Sequence, residues 1–220
     1  MIRRGWLQVT IDQMFAEMDL YGFEDFDDDA KLILLNEAYF DIVTREAWPF
    51  MESISAIIQP DGVAELDTPT DFQAVLSLID TTNKLIVTPE RGDVIEKNYM
   101  IDSSGGIPTK YYFVGNTAYL YPTPSGSMSY RLLYIKSPTT LAVDTVEADI
   151  LIPSRHHSII VYGALVKAFL VNDDPQANTF QNMFETRYQQ MRNDVWMKQY
   201  DRTDRVYIVT DSDNSDSWDY

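Results

Sequence analysis

The sequence predicts an α+β protein: a helical bundle of N- and C-terminal helices with an inserted small antiparallel β-sheet or sandwich. Apolar residues recur at helical spacing near both ends of the chain, and short β-branched and aromatic runs fill the middle. An apolar content of 45% suffices for a packed core. We predict a helical domain over 1–50 and 151–200, a β-rich domain over 51–150, and an extended acidic arm over 201–220.

The N-terminal helices are predicted from a cap and an apolar stripe. Thr10 is a predicted N-cap for a helix that ends near Met18. A second helix is predicted over about 30–46, because its apolar residues are spaced three, four and three apart (Leu32, Leu35, Tyr39 and Ile42). It ends before Pro49, since proline disfavours the helical conformation of the residue preceding it.

An acidic run separates these two helices. Residues 19–29 contain six carboxylates and no basic side chain. Carboxylates at a helix start are favoured by the positive end of the helix dipole. The alternative is a calcium loop, because Asp25, Asp27 and Asp29 match its first three ligand positions. The sixth position would then be Ala30 instead of glycine, and the twelfth Asn36 instead of glutamate. We therefore interpret the run as a solvated helix start.

Short strands are predicted through the middle of the chain. They are Ser55–Gln59, Phe72–Ile79, Leu85–Val87, Tyr111–Val114, Ala118–Tyr121 and Tyr130–Ile135. Gly115-Asn116 predicts a two-residue hairpin turn between two aromatic runs. A short helix is predicted over Glu90–Met100, after Pro89.

Two helices follow the strands. Ser154 is a predicted cap for a helix that ends near Leu170, and a last helix covers about Pro175 to Gln199. Because a short connection joins them, they should pack antiparallel. One seam of the last helix is apolar, at spacings of four, four, three and four: Phe180, Phe184, Tyr188, Met191 and Val195.

The last twenty residues are predicted to form an interaction arm. A lone strand is predicted at Val206, Tyr207, Ile208 and Val209, and such a strand can add to a sheet edge on another chain. The acidic end that follows contains Trp218 and Tyr220 as two possible anchors. The alternative is a frayed terminus.

The chemistry of the sequence predicts neither an enzyme nor a cofactor or metal site. There is no cysteine, and no phosphate-binding glycine loop is present. His156 and His157 are adjacent, so on a helix they point about 100° apart and make a poor ligand pair. Carboxylates such as Glu65, Asp67 and Asp71 leave a cell-wall hydrolase open as an alternative.

Tyrosine-rich strands leave a second alternative open, a carbohydrate-binding or fibre-associated tail module in which the rings form a stacking platform. The rings concerned are Tyr111, Tyr112, Phe113, Tyr119, Tyr121, Tyr130 and Tyr134. Tyrosines that alternate along strands more commonly divide between core and rim. A third alternative is a generic acidic interaction protein.

Charge and hydropathy argue against a sequence-reading nucleic-acid binder, a membrane span and a signal peptide. The net charge of −17 argues against a protein that reads nucleic-acid sequence, because such a protein needs cationic side chains to replace counterions. No apolar run approaches ~20 residues, so no membrane span is predicted. The first ten residues lack the apolar region of a signal peptide, so none is expected.

Five motifs, in this order, resemble the head-to-tail adaptor (connector) proteins of tailed bacteriophages, particularly short-tailed ones. The first reads LxLLNEAYxDIVTRExWPF and the third reads YYFVGNTAYLYPTP. The motifs lie at Leu32–Phe50, Thr68–Phe72, Tyr111–Pro124, Arg131–Pro138 and Ile152–Leu165. The acidic segments 19–29 and 211–220 have no counterpart in this resemblance.

The resemblance implies a structural virion protein that is made in the host cytoplasm and has no active site. Such adaptors form a ring, typically dodecameric, beneath the portal protein. The ring extends the DNA channel and is a platform for tail nozzle or fibre proteins. The helical part would contact the portal and neighbouring subunits, and the β part would project toward the tail. The acidic charge agrees with a channel through which DNA passes without sequence-specific binding.

Overall fold

The computed structural model describes residues 10–101 and 104–212. In chain order the elements are α1 (Ile11–Met18), α2 (Asp28–Thr44), β1 (Glu52–Gln59), β2 (Glu65–Asp67), β3 (Phe72–Asp80), β4 (Leu85–Pro89), α3 (Gly92–Ile101), β5 (Lys110–Val114), β6 (Thr117–Tyr121), β7 (Met128–Lys136), α4 (Ser158–Val171) and α5 (Gln176–Ser212). Residues 51–138 form one compact unit, and the described residues before 51 and after 138 form the other. Within these ranges, no helix has the length and hydropathy that a membrane span requires.

The first two helices begin at side-chain caps. The Thr10 hydroxyl accepts a hydrogen bond from the Gln13 amide at 3.3 Å, and the Gln13 side chain accepts one from the Thr10 amide at 3.1 Å. A π-helical turn, Asp19–Phe23, follows α1. An Asp27 carboxylate oxygen accepts from the Ala30 amide at 2.6 Å and so caps α2. The predicted role of the acidic run at a helix start is confirmed for Asp27.

The core of the helical unit forms around α4, which packs against both α2 and α5. Most of α4 is buried, including Gly163. A Cβ at Gly163 would lie 2.9 Å from the Ala38 Cβ, so α2 and α4 pack too closely there for a larger residue. The predicted seam of α5 is confirmed, since all of its members are buried: Phe180, Phe184, Tyr188, Met191 and Val195.

The strands form one seven-stranded sheet within the described residues, in the order β1-β7-β3-β4-β5-β6-β2. The sheet curls into a nearly closed barrel. The two outermost strands are β1 and β2, and a side chain links them. The Gln59 side-chain amide at the end of β1 donates to the carbonyl oxygens of Val63, just before β2, at 2.6 Å and of Glu65 in β2 at 2.8 Å. The interior is apolar and aromatic, lined by Leu66, Leu78, Val87, Tyr111, Ala118, Leu120, Met128, Tyr130, Leu132 and Tyr134.

The β5–β6 hairpin is confirmed as predicted. Val114 pairs with Thr117, which leaves Gly115 and Asn116 as the turn. Gly115 has a φ of 60°, a conformation that a residue with a Cβ rarely adopts. In contrast to this antiparallel pair, β4 and β5 pair in parallel, and α3 connects them.

The predicted fold class, a helical bundle with a small inserted antiparallel sheet and an extended arm, is wrong. The protein is mixed α and β, with the nearly closed seven-stranded sheet as a major part. The sequence hides β2 because it is three residues long and two of them are charged. Closure also depends on the long-range pairing of β2 with β6, which no local pattern encodes.

The C-terminal segment is helical where a strand was predicted. α5 continues to Ser212, so Val206, Tyr207, Ile208 and Val209 lie on this helix. β-branched residues disfavour helix only weakly, and adding residues to an existing helix is much easier than starting one. Trp218 and Tyr220 lie outside the described residues.

Candidate interaction surfaces

The middle of α5 is held against the end of α2 by a polar network around Glu46. The Glu46 carboxylate accepts from the Tyr188 hydroxyl at 3.1 Å and from the Trp196 indole N–H at 3.2 Å. It also pairs with the Arg192 guanidinium at 2.9 Å. Burial of Tyr188 and its hydrogen bond to Glu46 raise the pKa of the tyrosine to about 12. The network therefore fixes the part of α5 that precedes residue 197.

Arg45 adds a second link between α2 and α5. Its guanidinium carbon lies 5.0 Å from the ring centroids of both Phe184 and Tyr188, within cation–π range. The same guanidinium pairs with the Glu185 carboxylate at 3.2 Å. Sequence reasoning missed both links because Arg45 and Glu46 are about 140 residues from their partners.

Part of the acidic run has an internal partner. Lys31 is 3% exposed, and its ammonium lies 2.6 Å from the Asp19 carboxylate. The hydrogen bond to Asp19 raises the pKa of Lys31.

Across the described chain, no three histidine or acidic residues are grouped so as to hold a metal ion. Glu24 and Asp25 are exposed and contribute to an acidic surface.

A groove lined by both apolar and charged side chains opens between α2, α4 and α5 on the helical unit. Its lining includes Ala38, Val166, Leu170 and Phe184, and its volume is about 220 Å³. The Lys167 ammonium lies 2.7 Å from the Asp41 carboxylate at the groove. Further apolar side chains of this unit are exposed: Leu20, Ile33, Leu170 and Val171.

The outer face of the sheet is a second exposed apolar surface. Ile86 on β4 is 68% exposed, and Ile54 and Ile58 on β1 are exposed as well. The exposed Arg131 of β7 pairs with Ala56 of β1 on one side and with Ile79 of β3 on the other. The row that runs from Ala56 through Arg131 and Ile79 to Ile86 is therefore mixed, with apolar side chains on either side of a cation.

His156, His157 and Asp71, which the sequence singled out, each contact a different partner. His156 Nε2 lies 2.9 Å from an Asp194 carboxylate oxygen. His157 is buried, with Nε2 2.7 Å from the Ile152 carbonyl oxygen. Asp71 accepts from the Tyr134 hydroxyl at 2.9 Å, a structural contact at the edge of the sheet core.

The tyrosines of the strands divide into two sets by the alternation of the strands. Tyr111, Tyr130 and Tyr134 are buried in the barrel interior. Tyr112 and Tyr119 are partly exposed and lie directly opposite each other on adjacent strands. The division follows from the two-residue period of a strand.

The described parts of both units carry exposed apolar side chains that are available for contact with other proteins, as in a structural protein. A family model described as SU10 adaptor protein matches residues 6–210. The chain therefore belongs to the SU10 adaptor protein family, and the resemblance to phage head-to-tail adaptors is confirmed. It is a structural component of a bacteriophage virion. No curated protein sequence matches the chain.

Proposed function

We propose that the protein is the head-to-tail adaptor ring that docks beneath the portal, extends the DNA channel and holds the tail nozzle or fibre proteins. The family match over residues 6–210 carries this proposal. A dodecamer is the proposed stoichiometry, with the protein made in the host cytoplasm and incorporated into the virion. Neither a cofactor nor an enzymatic step is part of the proposed role.

The two units have different partners in this proposal. The helical unit contacts the portal and neighbouring subunits, and the exposed apolar side chains of this unit, among them Ile33 and Leu170, support this assignment. The β-rich unit contacts the tail proteins. Val206, Tyr207, Ile208 and Val209, near the end of α5, are proposed to contact the portal or a neighbour, with Trp218 and Tyr220 as additional anchors.

The charge of the subunit supports a role next to DNA without binding it. Each subunit carries −17, so a ring concentrates negative charge around its channel. Like-charge repulsion acts over a Debye length of about 8–10 Å at ordinary salt, which keeps a polyanion from adhering to the wall. Packaged DNA would therefore pass without sequence-specific contacts.

The proposal is tested by mixing the purified protein with its portal protein and examining the product by sizing and negative-stain microscopy. We expect rings seated on the portal. Two matched variants separate the units, since each adds one carboxylate to an exposed apolar site. Ile33→Glu on α2 should weaken portal attachment. Ile86→Glu on β4 should leave portal attachment intact and weaken tail attachment.

Three outcomes would contradict the adaptor role. The protein could remain a free monomer with the portal present. It could bind a glycan as a stable monomer, which would favour the carbohydrate-binding module. It could release peptidoglycan in a way that one carboxylate substitution abolishes, which would favour the hydrolase.

A further inference from the structure

A small pocket lies where α3 covers the outer face of β5, β6 and β2. Its volume is about 220 Å³, and its lining includes Glu65, Ile95, Glu96, Tyr99, Tyr112 and Tyr119. Glu65 pairs with Tyr119 in the register, and Tyr119 pairs with Tyr112. One carboxylate and two aromatic rings therefore stand in one row across three strands.

The aromatic wall of this pocket is firmly positioned. The Tyr112 and Tyr119 rings stack with centroids 5.2 Å apart and an interplanar angle of 22°. A Cβ at Gly92 would lie 2.8 Å from Cδ2 of Tyr112, so the first turn of α3 sits directly on that ring. The Tyr112 hydroxyl donates to the Glu96 carboxylate of the same helix. Ile95 is buried at the base of α3 and anchors the helix to the sheet.

The charge of the pocket is negative. Within the described ranges, neither Glu65 nor Glu96 forms an ion pair, and the nearby Lys110 pairs with Glu90 instead, at 3.7 Å. Burial, the hydrogen bond to Glu96 and the negative charges of Glu96 and Glu65 raise the pKa of Tyr112 to about 12. The same negative charges that disfavour deprotonation of Tyr112 would favour a cation bound in the pocket.

We propose that this pocket binds the guanidinium group of an arginine side chain presented by a partner protein. A planar guanidinium can stack on a tyrosine face while its N–H groups donate to carboxylates. The pocket is smaller than the ~300–1,000 Å³ typical of sites for drug-sized ligands, so one side chain suits it better than an extended ligand. The inference rests on the proposed function in one respect: the partner that presents the arginine is taken to be a tail protein.

The chemistry favours a cation over a sugar ring. A neutral sugar would use the tyrosine faces, but it would leave the negative charge of Glu65 and Glu96 uncompensated. A guanidinium uses both the ring faces and the carboxylates. Binding of a neutral sugar in place of the cation is therefore an outcome that would overturn the proposal.

The test is a titration of the full-length protein with N-acetyl-arginine amide. Binding is monitored through the isoleucine methyl signals in NMR spectra. Ile95 lines the pocket, and Ile159 is buried in α4 and serves as the internal control. We expect a saturable shift of the Ile95 methyl in the millimolar range and no shift at Ile159. The uncharged isostere N-acetyl-citrulline amide should bind about tenfold more weakly, because it cannot form charge-assisted hydrogen bonds.

Variants assign the effect to the pocket. Glu65→Gln and Glu96→Gln should each weaken arginine binding several-fold, and a glutamine at 96 can still accept the Tyr112 hydrogen bond. Glu52→Gln on β1 removes one exposed carboxylate outside the lining and should change nothing. Tyr119→Leu should weaken arginine binding without abolishing it, provided that thermal melting shows a folded protein.

Two results would overturn the proposal: no saturable shift of Ile95 with N-acetyl-arginine amide, whether or not maltotriose shifts it, or equal binding of the citrulline amide. The outcome is separable from that of the adaptor proposal, because the titration uses no portal. Several-fold weaker arginine binding in the Glu96→Gln protein, with normal rings on the portal, supports both proposals. Arginine binding without rings on the portal would contradict only the adaptor role.

Discussion

At the scale of single residues, Phe184 links three helices. Its ring lies on α5 so close to Gly163 of α4 that a Cβ added at Gly163 would be 3.2 Å from Cε2 of the ring. The Arg45 guanidinium, at the end of α2, lies over the same ring. We expect Phe184→Ala to lower the free energy of unfolding by about 3–5 kcal/mol, a large share of the ~5–15 kcal/mol of a typical domain. Chemical denaturation measures this loss.

The neighbouring residue is the matched control. Met183 is 36% exposed, so Met183→Ala should change the free energy of unfolding by less than about 1 kcal/mol. Equal losses for the two variants would show that Phe184 is not a core contact.

Buried tyrosines make the stability sensitive to alkaline pH. Burial, with the nearby charge of Asp80, raises the pKa of Tyr130 above its ordinary value of 10.0. The folded state therefore holds this proton more tightly than the unfolded state, and the stabilisation is complete below the unfolded pKa. It is lost as the pH rises above about 10, the ordinary pKa of tyrosine.

We expect the urea midpoint to fall above about pH 10. Tyr112 and Tyr188, whose pKa values are raised to about 12, contribute in the same direction. Tyr130→Phe should make the alkaline decline shallower, because phenylalanine has no proton to lose. A midpoint that stays constant up to about pH 12 would contradict the expected linkage.

At the scale of elements, α5 has a buried seam in its first half and extends well beyond it. The last seam residue is Val195, and the helix ends at Ser212. Truncation after Tyr200 should therefore leave the melting temperature of the monomer nearly unchanged. Because it removes Val206–Val209, it should abolish attachment to the portal or to neighbouring subunits in the sizing assay.

A second truncation separates the helix from the acidic end. Stopping after Ser212 keeps all of α5 and removes Trp218 and Tyr220. Attachment by this longer chain would assign the contact to the helix. If the chain ending at Tyr200 still attaches, the segment is dispensable; if it unfolds, the segment belongs to the core of the subunit.

At the scale of the whole molecule, the charge of −17 should oppose association in the absence of the portal. We expect monomers at low ionic strength and more oligomer as salt screens the repulsion. Light scattering across a salt series measures the change. A variant with Glu24→Gln and Asp25→Asn, which neutralises two exposed carboxylates, should associate at lower salt. Equal ring formation at low and high salt would contradict this explanation.

The parts of the fold that could be predicted are those that short stretches of chain encode. Thr10 and Asp27 cap their helices through hydrogen bonds that span three residues. The Gly115-Asn116 turn needs a glycine that tolerates positive φ. The seam of α5 follows from apolar residues that share one helix face.

The candidate site could be predicted only in part. Strand alternation predicts that tyrosines divide between core and rim, and the structure puts Tyr112 and Tyr119 at the rim. Their place beside Glu65 and Glu96 depends on the pairing of β2 with β6 and on the packing of α3. The residues of this pocket come from four elements, β2, α3, β5 and β6, so no motif spacing indicates it.

By itself, the sequence determined the helix caps, the apolar seam, the hairpin turn and the net charge, because each depends on neighbouring residues or on composition alone. The tertiary structure decided the near-closure of the seven-stranded sheet, the burial of Lys31 beside Asp19 and the gathering of tyrosines and carboxylates under α3. It also shows Val206–Val209 as helix, although these residues favour a strand in isolation. The physical reason is that sheet closure and burial depend on contacts between distant parts of the chain, whereas the weak strand preference of Val206–Val209 is outweighed by the ease of extending an existing helix.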